Sequence, residues 1–415
     1  MWPTARAVGH TSVCVSPGST AGSRLGPPGA ERPAVLDTTP DGRTRYLGLD
    51  GITDDIDAAF FASDGIRRVR EAVAGSLLRA LSLTAGAGRI GAPVARPGKV
   101  VCIGLNYRDH AEEIGAAIPE RPVVLMKDPG TVVGPFDEVL IPRGSRKTDW
   151  EVELAVVIGR RARYLDSREE ALACVAGYAI SNDVSEREFQ LEFSGQWDLG
   201  KSCETFNPLG PWLVTADEVD DPQALGLRLS VDGVLRQEGH TKSMIFDVAE
   251  VVRCLSQYLV LEPGDVVNTG TPAGVALGLP GHPYLRPRQT VELTSLLPDA
   301  NRRGVSVVVG GVFNSGLLAD PTPAATFDYA PAPAALLERA LRLKDLCGEA
   351  GVPLRAAAVQ FPLGHPAVAG VLVGARSAAE ARDAAEMAQV DIPAQLWDSL
   401  RAEGLLPGDA PVPTS

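Results

Sequence analysis

The sequence predicts a mixed α/β, β-rich protein that ends in a piece of a parallel α/β fold. Two observations carry this. Between about residues 98 and 293, short apolar runs alternate with turns: VVCIGL, PVVLMK, VELAVVIG, GYAISND, LRLSVDG and DVVNTG. Only YRDHAEEIG, SREEALACV and DVAEVVRCLSQYL read as helices there, so strict βαβ alternation is absent. After Val291–Leu293 the pattern changes to buried strand, helix, buried strand, helix, in RRGVSVVVGGV, PAALLERALRLKDLCGEAG, VAGVLVGARS and SAAEARDAAEMAQV.

Four segments follow from this reading. Residues 1–35 are rich in Gly, Pro, Ser and Ala without periodicity and are expected to be loosely ordered. Residues 36–97 form a small unit, with two short strands around a Pro-Asp-Gly turn and a helix over Gly65–Leu81. Residues 98–293 are the main β-rich domain, and residues 294–415 the parallel α/β piece.

The bulk numbers narrow the function. A chain of 415 residues with 45 % apolar content can bury a sizeable core. A formal net charge of -13 speaks against a nucleic-acid partner. No stretch is long and apolar enough to span a bilayer, and the N-terminus lacks the apolar core of a signal peptide. The six cysteines are scattered without a CxxC pair, which suits reduced thiols in the cytoplasm.

Several residues are candidates for chemistry. Glu151 and Glu153 are separated by one valine at the head of an apolar run, so they share one face of a strand. Asp183 ends another strand, in AISNDVSER. Three carboxylates meeting at one spot would suit Mg²⁺ or Mn²⁺ rather than zinc, and a dication would cancel their repulsion. The alternative is a solvated strand face near Arg143, Arg146 and Lys147. His110 and Glu113 are three apart on a short helix, where a carboxylate can orient an imidazole as general base; an ordinary surface pair has the same spacing. GQWDLGKS, Gly195–Ser202, matches the phosphate-loop pattern by letter but lacks the preceding strand and following long helix, so we reject it and keep Lys201 as an isolated catalytic ammonium. NTGTPAGVALG, with Thr271, is either a carboxylate-binding loop or a plain turn.

Taken together, KVVCIGLNYRDHAEE, PVVLMKDPGTVVGP, DWEVELAVVIG, GYAISNDVSER, QWDLGKSCETFNPLGPW and GDVVNTGTPAGV resemble the fumarylacetoacetate hydrolase family, in the family's order, over about residues 95–285. The resemblance implies a β-sandwich-roll fold, a Mg²⁺ or Mn²⁺ held by Glu151, Glu153 and Asp183, and a water-activating His110–Glu113 dyad. It also implies an active-site Lys201, and substrate binding by Thr271 and Arg187. Such proteins cleave C–C bonds of 1,3-dicarbonyl acids, decarboxylate oxaloacetate-like acids or isomerise related compounds, and many are homodimers.

The tail resembles another family. SVVVGGVFNSGLLADPTPAATFDYAPAP, VPLRAAAVQFPLGHPAVAGVLVGARSAAEARDA and IPAQLWDSLRAEGLLP look like the C-terminal part of aldo-keto reductases, nearest to aldose dehydrogenases, over about residues 294–408. This implies a partial (β/α)₈ barrel and places Gly374, Arg376 and Ser377 where those enzymes hold the adenosine phosphate of NADP. The catalytic half of that family has no match here, so NADP-linked activity is not expected. The pairing does suggest a substrate from sugar-acid breakdown, a 2,4-diketo-3-deoxy sugar acid such as the L-fuconate derivative.

Overall fold

A computed structural model of the chain describes residues 4–7, 21–38, 44–81, 89–294, 307–310, 312–313, 316–327, 330–332, 334–364, 368–373, 377–406 and 410–413. The chain divides into two compact units, Met1–Leu296 and Leu297–Ser415.

The centre of the first unit is a six-stranded sheet. Its spatial order is Val214–Thr215, Val175–Asn182, Val152–Ile158, Val266–Asn268, Val100–Gly104 and Val123–Lys127. All pairings are antiparallel except that of Val266–Asn268 with Val100–Gly104. The strand Val152–Ile158 is buried at every position, which explains its unbroken apolar run. Val152, Leu154, Val156 and Ile158 belong to one core with Leu227, Leu229, Val291 and Leu293 of a second sheet and with the buried face of the helix Val248–Leu255. Ala155 and Val157 face the opposite way, into a core shared with Val35, Leu47, Phe60 and Phe61. Glu153 has the parity of Ala155 and Val157, so it lies on that second face.

The second sheet runs Val234–His240, Gly226–Val231, Thr290–Thr294, Thr4–Ala7 and Glu138–Leu140. Thr290–Thr294 pairs antiparallel with Gly226–Val231 and parallel with Thr4–Ala7, so a strand from the start of the chain extends this sheet beyond the last strand of the unit.

Three sequence expectations are corrected. Residues 21–35 are not loosely ordered: Gly22–Leu25 and Arg32–Thr38 pair as a hairpin in a four-stranded sheet, with Gly-Pro-Pro-Gly supplying the turn. Thr4–Ala7 is likewise a strand. The helix expected over Gly65–Leu81 stops at Ala74, capped by Gly75, because Ser76 turns left-handed at φ 53°.

In the second unit, Val307–Gly310 and Val368–Leu372 pair in parallel. Helices run Ala334–Glu349, Leu354–Gln360, Ala378–Met387 and Ala394–Ala402. Cys347, Leu396, Trp397 and Leu400 anchor its own core. Cys102, Cys174, Cys203, Cys254 and Cys347 are free thiols. No described helix is long and apolar enough to cross a membrane.

Candidate metal centre and active site

The three acids meet. Glu151 precedes the strand Val152–Ile158, and Glu153 is its second residue. Asp183 follows Val175–Asn182, the neighbour of that strand. The register Val152↔Asn182 brings their heads side by side, and the Asp183 N–H donates to the Glu151 carbonyl at 2.9 Å. Each acid offers one ligand oxygen, all within 4.8 Å of one another, and all three side chains are buried.

Buried cations surround two of the acids. Lys201 Nζ donates to Glu151 Oε2 and Asp183 Oδ2, both at 2.7 Å. Lys127 Nζ pairs with Asp183 Oδ1 and also donates to the carbonyls of Val184 at 3.0 Å and Phe206 at 2.7 Å. Arg187 Nη2 pairs with Glu151 Oε1 at 2.7 Å. Glu153 has no cation against it among the described residues; its Oε2 accepts from the Gly270 N–H at 2.7 Å.

The protonation preferences follow. Burial pushes Glu151 up, but Lys201 and Arg187 outweigh it and hold the carboxyl below its ordinary value. For Glu153, burial acts with Asp183 and Glu151 and pushes the carboxyl well above its ordinary value. Burial alone would lower Lys201, but Asp183 and Glu151 outweigh it and keep the ammonium charged. Lys201 is therefore a fixed positive charge, and not a base. The donor set fits a hard dication: three carboxylate oxygens converge, and the one without a counter-charge is the one that metal binding would relieve.

His110 is buried in the short helix Arg108–Glu113. Its Nδ1 lies 3.2 Å from Glu113 Oε2. Assigning the Nδ1 proton to that bond leaves Nε2 as acceptor. Glu113 is itself held, since its Oε1 accepts from the Gly274 N–H at 2.8 Å. Two glycines make room: a Cβ at Gly274 would sit 1.9 Å from the Arg236 carbonyl, and one at Gly278 would sit 2.3 Å from the Glu113 carboxyl carbon. Asn106 fixes the helix entrance by donating to the Phe246 and Thr269 carbonyls and accepting from the Phe246 N–H. The acids, Lys201, His110 and Thr271 line one cavity of about 230 Å³.

Arg187 and Thr271 line the same cavity, and each also has partners within the protein. Arg187 gives Nε to Asp149 at 2.8 Å, Nη1 to Gln190 at 2.9 Å and Nη2 to Glu151. It is thus a positioning residue for Glu151. The Thr271 hydroxyl donates to the Val152 carbonyl at 2.9 Å and accepts from Gln237 Nε2 at 2.8 Å, so its proton is spent within the protein. GQWDLGKS forms one helical turn, Asp198–Lys201, without phosphate-loop architecture. Gly374 and Arg376 lie outside the described residues, and Ser377 caps the helix Ala378–Met387 through the Glu380 N–H.

Sequence reasoning missed Asp149, Lys127, Gln190 and Gln237. Asp149 accepts from the backbone N–H groups of Trp150, Ala276 and Leu277 and from Arg187, tying the 274–277 loop to the metal face. The available signals were Asp149 within DWEVEL and a lone lysine ending the apolar run VVLMK.

Comparison with known proteins gives the family. Residues 99–302 match the family model described as fumarylacetoacetate (FAA) hydrolase C-terminal. A Burkholderia multivorans protein assigned to the hydrolases by name only is 49% identical over 271 residues, which is 65% of this chain and 93% of that protein. Among solved structures, fumarylacetoacetate hydrolase from Exiguobacterium antarcticum is 34% identical with a TM-score of 0.57, over 67% of this chain and 95% of that one. A probable 2-hydroxyhepta-2,4-diene-1,7-dioate isomerase from Mycobacterium abscessus is 31% identical with a TM-score of 0.54, over 66% and 94%. The chain belongs to the fumarylacetoacetate hydrolase family.

Proposed function

We propose that the protein is a Mg²⁺- or Mn²⁺-dependent hydrolase that cleaves a C–C bond in a 2,4-dioxo acid. The observation that carries this is the convergence of Glu151, Glu153 and Asp183 in one cavity with His110, whose Nδ1 is held by Glu113. A dication bound there would supply a Lewis acid for the 1,3-dicarbonyl and its enolate. The chain supplies the rest. His110 Nε2 takes a proton from water, which adds to the C4 carbonyl, while Glu113 carries the imidazole's developing charge through Nδ1. Lys201, permanently charged, stabilises oxyanion charge. The C3–C4 bond then breaks, giving a carboxylic acid and the enolate of a 2-oxo acid, which is protonated at C3.

A second reading, isomerisation of a related unsaturated acid, is favoured by the likeness to the Mycobacterium abscessus isomerase; it would use His110 to move a proton between carbons. Decarboxylation of an oxaloacetate-like acid is the other family outcome. For the tail we keep the reading of an incomplete aldo-keto reductase-like segment without its own catalysis. The sugar-acid substrate, the homodimer and the cytoplasmic location remain parts of the proposal. The deciding experiment incubates the purified protein and Mg²⁺ with several 2,4-dioxo acids and identifies products. Two carboxylic acids from one substrate support hydrolysis. A single isomer or released CO₂ would replace it with the corresponding alternative.

A further inference from the structure

A second cavity, of about 680 Å³, lies at the far ends of the strands that carry the acids. Its lining includes Gly159, the residue after the strand Val152–Ile158, and Val175, which opens the strand Val175–Asn182. Glu151 and Asp183 stand at the other ends of these same strands. The helix Gly65–Ala74 contributes Ile66, Arg67 and Arg70. The cavity shares no lining residue with that of the acids. Its volume falls in the range of sites that hold a small organic molecule.

Its charged lining is Arg67, Arg70, Arg160 and Arg161, with Asp64, Asp217 and Glu262. Four cations thus face three carboxylates, in a chain whose net charge is -13. Three of the arginines are held in place. Arg67 gives Nε to Asp64 and Nη1 to Glu71, both at 2.6 Å. Arg70 gives Nη2 to the Thr215 hydroxyl at 3.1 Å and to Asp217. Arg161 gives Nε to Glu262 at 3.1 Å. Each keeps at least one guanidinium nitrogen without a hydrogen bond among the described residues. Arg160 is exposed, and its guanidinium has no hydrogen bond or ion pair among the described residues. Its backbone N–H donates to the Cys174 carbonyl at 3.2 Å, which fixes the loop. Exposed arginine–carboxylate pairs are weak, so an incoming anion can share these guanidinium groups at little cost.

A guanidinium presents its donors in a planar fork that matches phosphate oxygens. The four arginines come from two elements. Arg67 and Arg70 are three apart on one helix face, and Arg160 and Arg161 follow the strand Val152–Ile158. A ligand with two anionic groups engages both pairs. The apolar lining, Phe61, Ile66, Val175 and Pro263, offers contact to a carbon skeleton. We infer that this cavity binds an organic anion with at least two phosphate groups, a nucleoside diphosphate or a sugar bisphosphate. The phosphates lie on the arginines and the carbon skeleton on the apolar lining. This site is independent of the dioxo-acid reading and requires no metal.

The test is calorimetric titration of the full-length chain, stripped of metal and freed of chelator so that phosphate cannot enter the acid cluster as a metal complex. Salt is kept low, where screening is weak. The probes are ADP, a hexose bisphosphate, the matching monophosphates and inorganic pyrophosphate. ADP or the hexose bisphosphate should bind with a Kd below about 1 mM, and whichever does so identifies the source of the phosphates. Its monophosphate, and pyrophosphate without a carbon skeleton, should bind at least about tenfold more weakly. Arg160→Ala removes a guanidinium that makes no bond in the folded protein, so it should not disturb folding. It should weaken binding by at least about tenfold, the scale of one hydrogen bond to a charged group. Arg70→Ala should do the same from the helix. No binding within that limit, equal binding of the monophosphate or of pyrophosphate, or an affinity unchanged in Arg160→Ala overturns the inference.

Discussion

Glu153→Gln separates the two roles of the acid cluster, because it removes a ligand and a repulsion together. Glu153 lies within 4.8 Å of two other carboxylates and has no cation of its own among the described residues. At an effective dielectric constant near 20, each of these neighbours at that distance repels Glu153 by about 3 kcal/mol. The cations paired with them, Lys201 and Arg187 on Glu151 and Lys201 and Lys127 on Asp183, offset most of this and leave on the order of 1–2 kcal/mol of net destabilisation in the metal-free protein. Gln keeps the oxygen that accepts from Gly270. The chelator-treated variant should therefore melt about 2–4 °C above chelator-treated wild type at pH 7. The pH dependence has a definite sign. The folded Glu153 carboxyl titrates above its unfolded value of 4.5, so metal-free wild type loses stability as pH rises from that value through the raised one. The variant lacks this loss, and its advantage should grow from acid to neutral pH. Mg²⁺ should reverse the order: at a hundred times Kd it stabilises wild type by about 2.7 kcal/mol, and the variant far less. Melting curves with chelator and with Mg²⁺ at three pH values suffice. A chelated variant that melts at or below wild type, or equal gains from Mg²⁺, would refute the reasoning.

His110→Ala should lower turnover by about 10²–10⁴-fold, with Mg²⁺-dependent stabilisation intact; unchanged turnover removes His110 from the chemistry. Asp149→Ala leaves Arg187 buried beside Glu151 and frees the N–H groups of Trp150, Ala276 and Leu277, so urea denaturation should show a loss of about 3–5 kcal/mol; a loss below about 1 kcal/mol would show that the clamp is slack. The tail should not reduce NADP with L-fucose or D-arabinose, followed by cofactor absorbance. Reduction that disappears when residues 297–415 are deleted would make it a working dehydrogenase.

The face of the strand Val152–Ile158 was legible because strand parity needs no tertiary information: Glu151 and Glu153 had to point the same way. The meeting with Asp183 was legible only through the ordered set of family-like motifs, since no spacing rule brings a residue thirty positions away into register. Lys127 and Asp149, and the carboxylate partners of Arg187, were hidden for a different reason. Their roles depend on which carboxylate a long or buried side chain reaches, and one-dimensional pattern carries no such information. Thr271 shows the converse, a residue assigned by resemblance whose hydroxyl proton is consumed by Val152. The segment Gly22–Leu25 was misread because glycine and proline content suggested disorder, whereas here it marks a hairpin turn between two paired strands.

Charge counting around the cluster bears on which acids it accepts. Four buried carboxylates, Asp149, Glu151, Glu153 and Asp183, face three buried cations, Lys127, Arg187 and Lys201. Ionised throughout, the group carries one net negative charge, and a bound dication would leave one net positive charge. A monoanionic dioxo acid then brings the buried site to neutrality, whereas a dianionic one leaves an uncompensated negative charge against apolar walls, which is costly. Monocarboxylates should thus be preferred over dicarboxylates such as the dioate named for the Mycobacterium abscessus protein, by a factor of about 10 or more, since one poorly compensated charge costs upward of 1.4 kcal/mol. The measurement is kcat/KM for a pair of 2,4-dioxo acids of equal length, one ending in methyl and one in carboxylate, at two salt concentrations. Preference for the dicarboxylate at both concentrations would mean that a cation outside this group meets the tail, and the charge count would have to be redrawn around it.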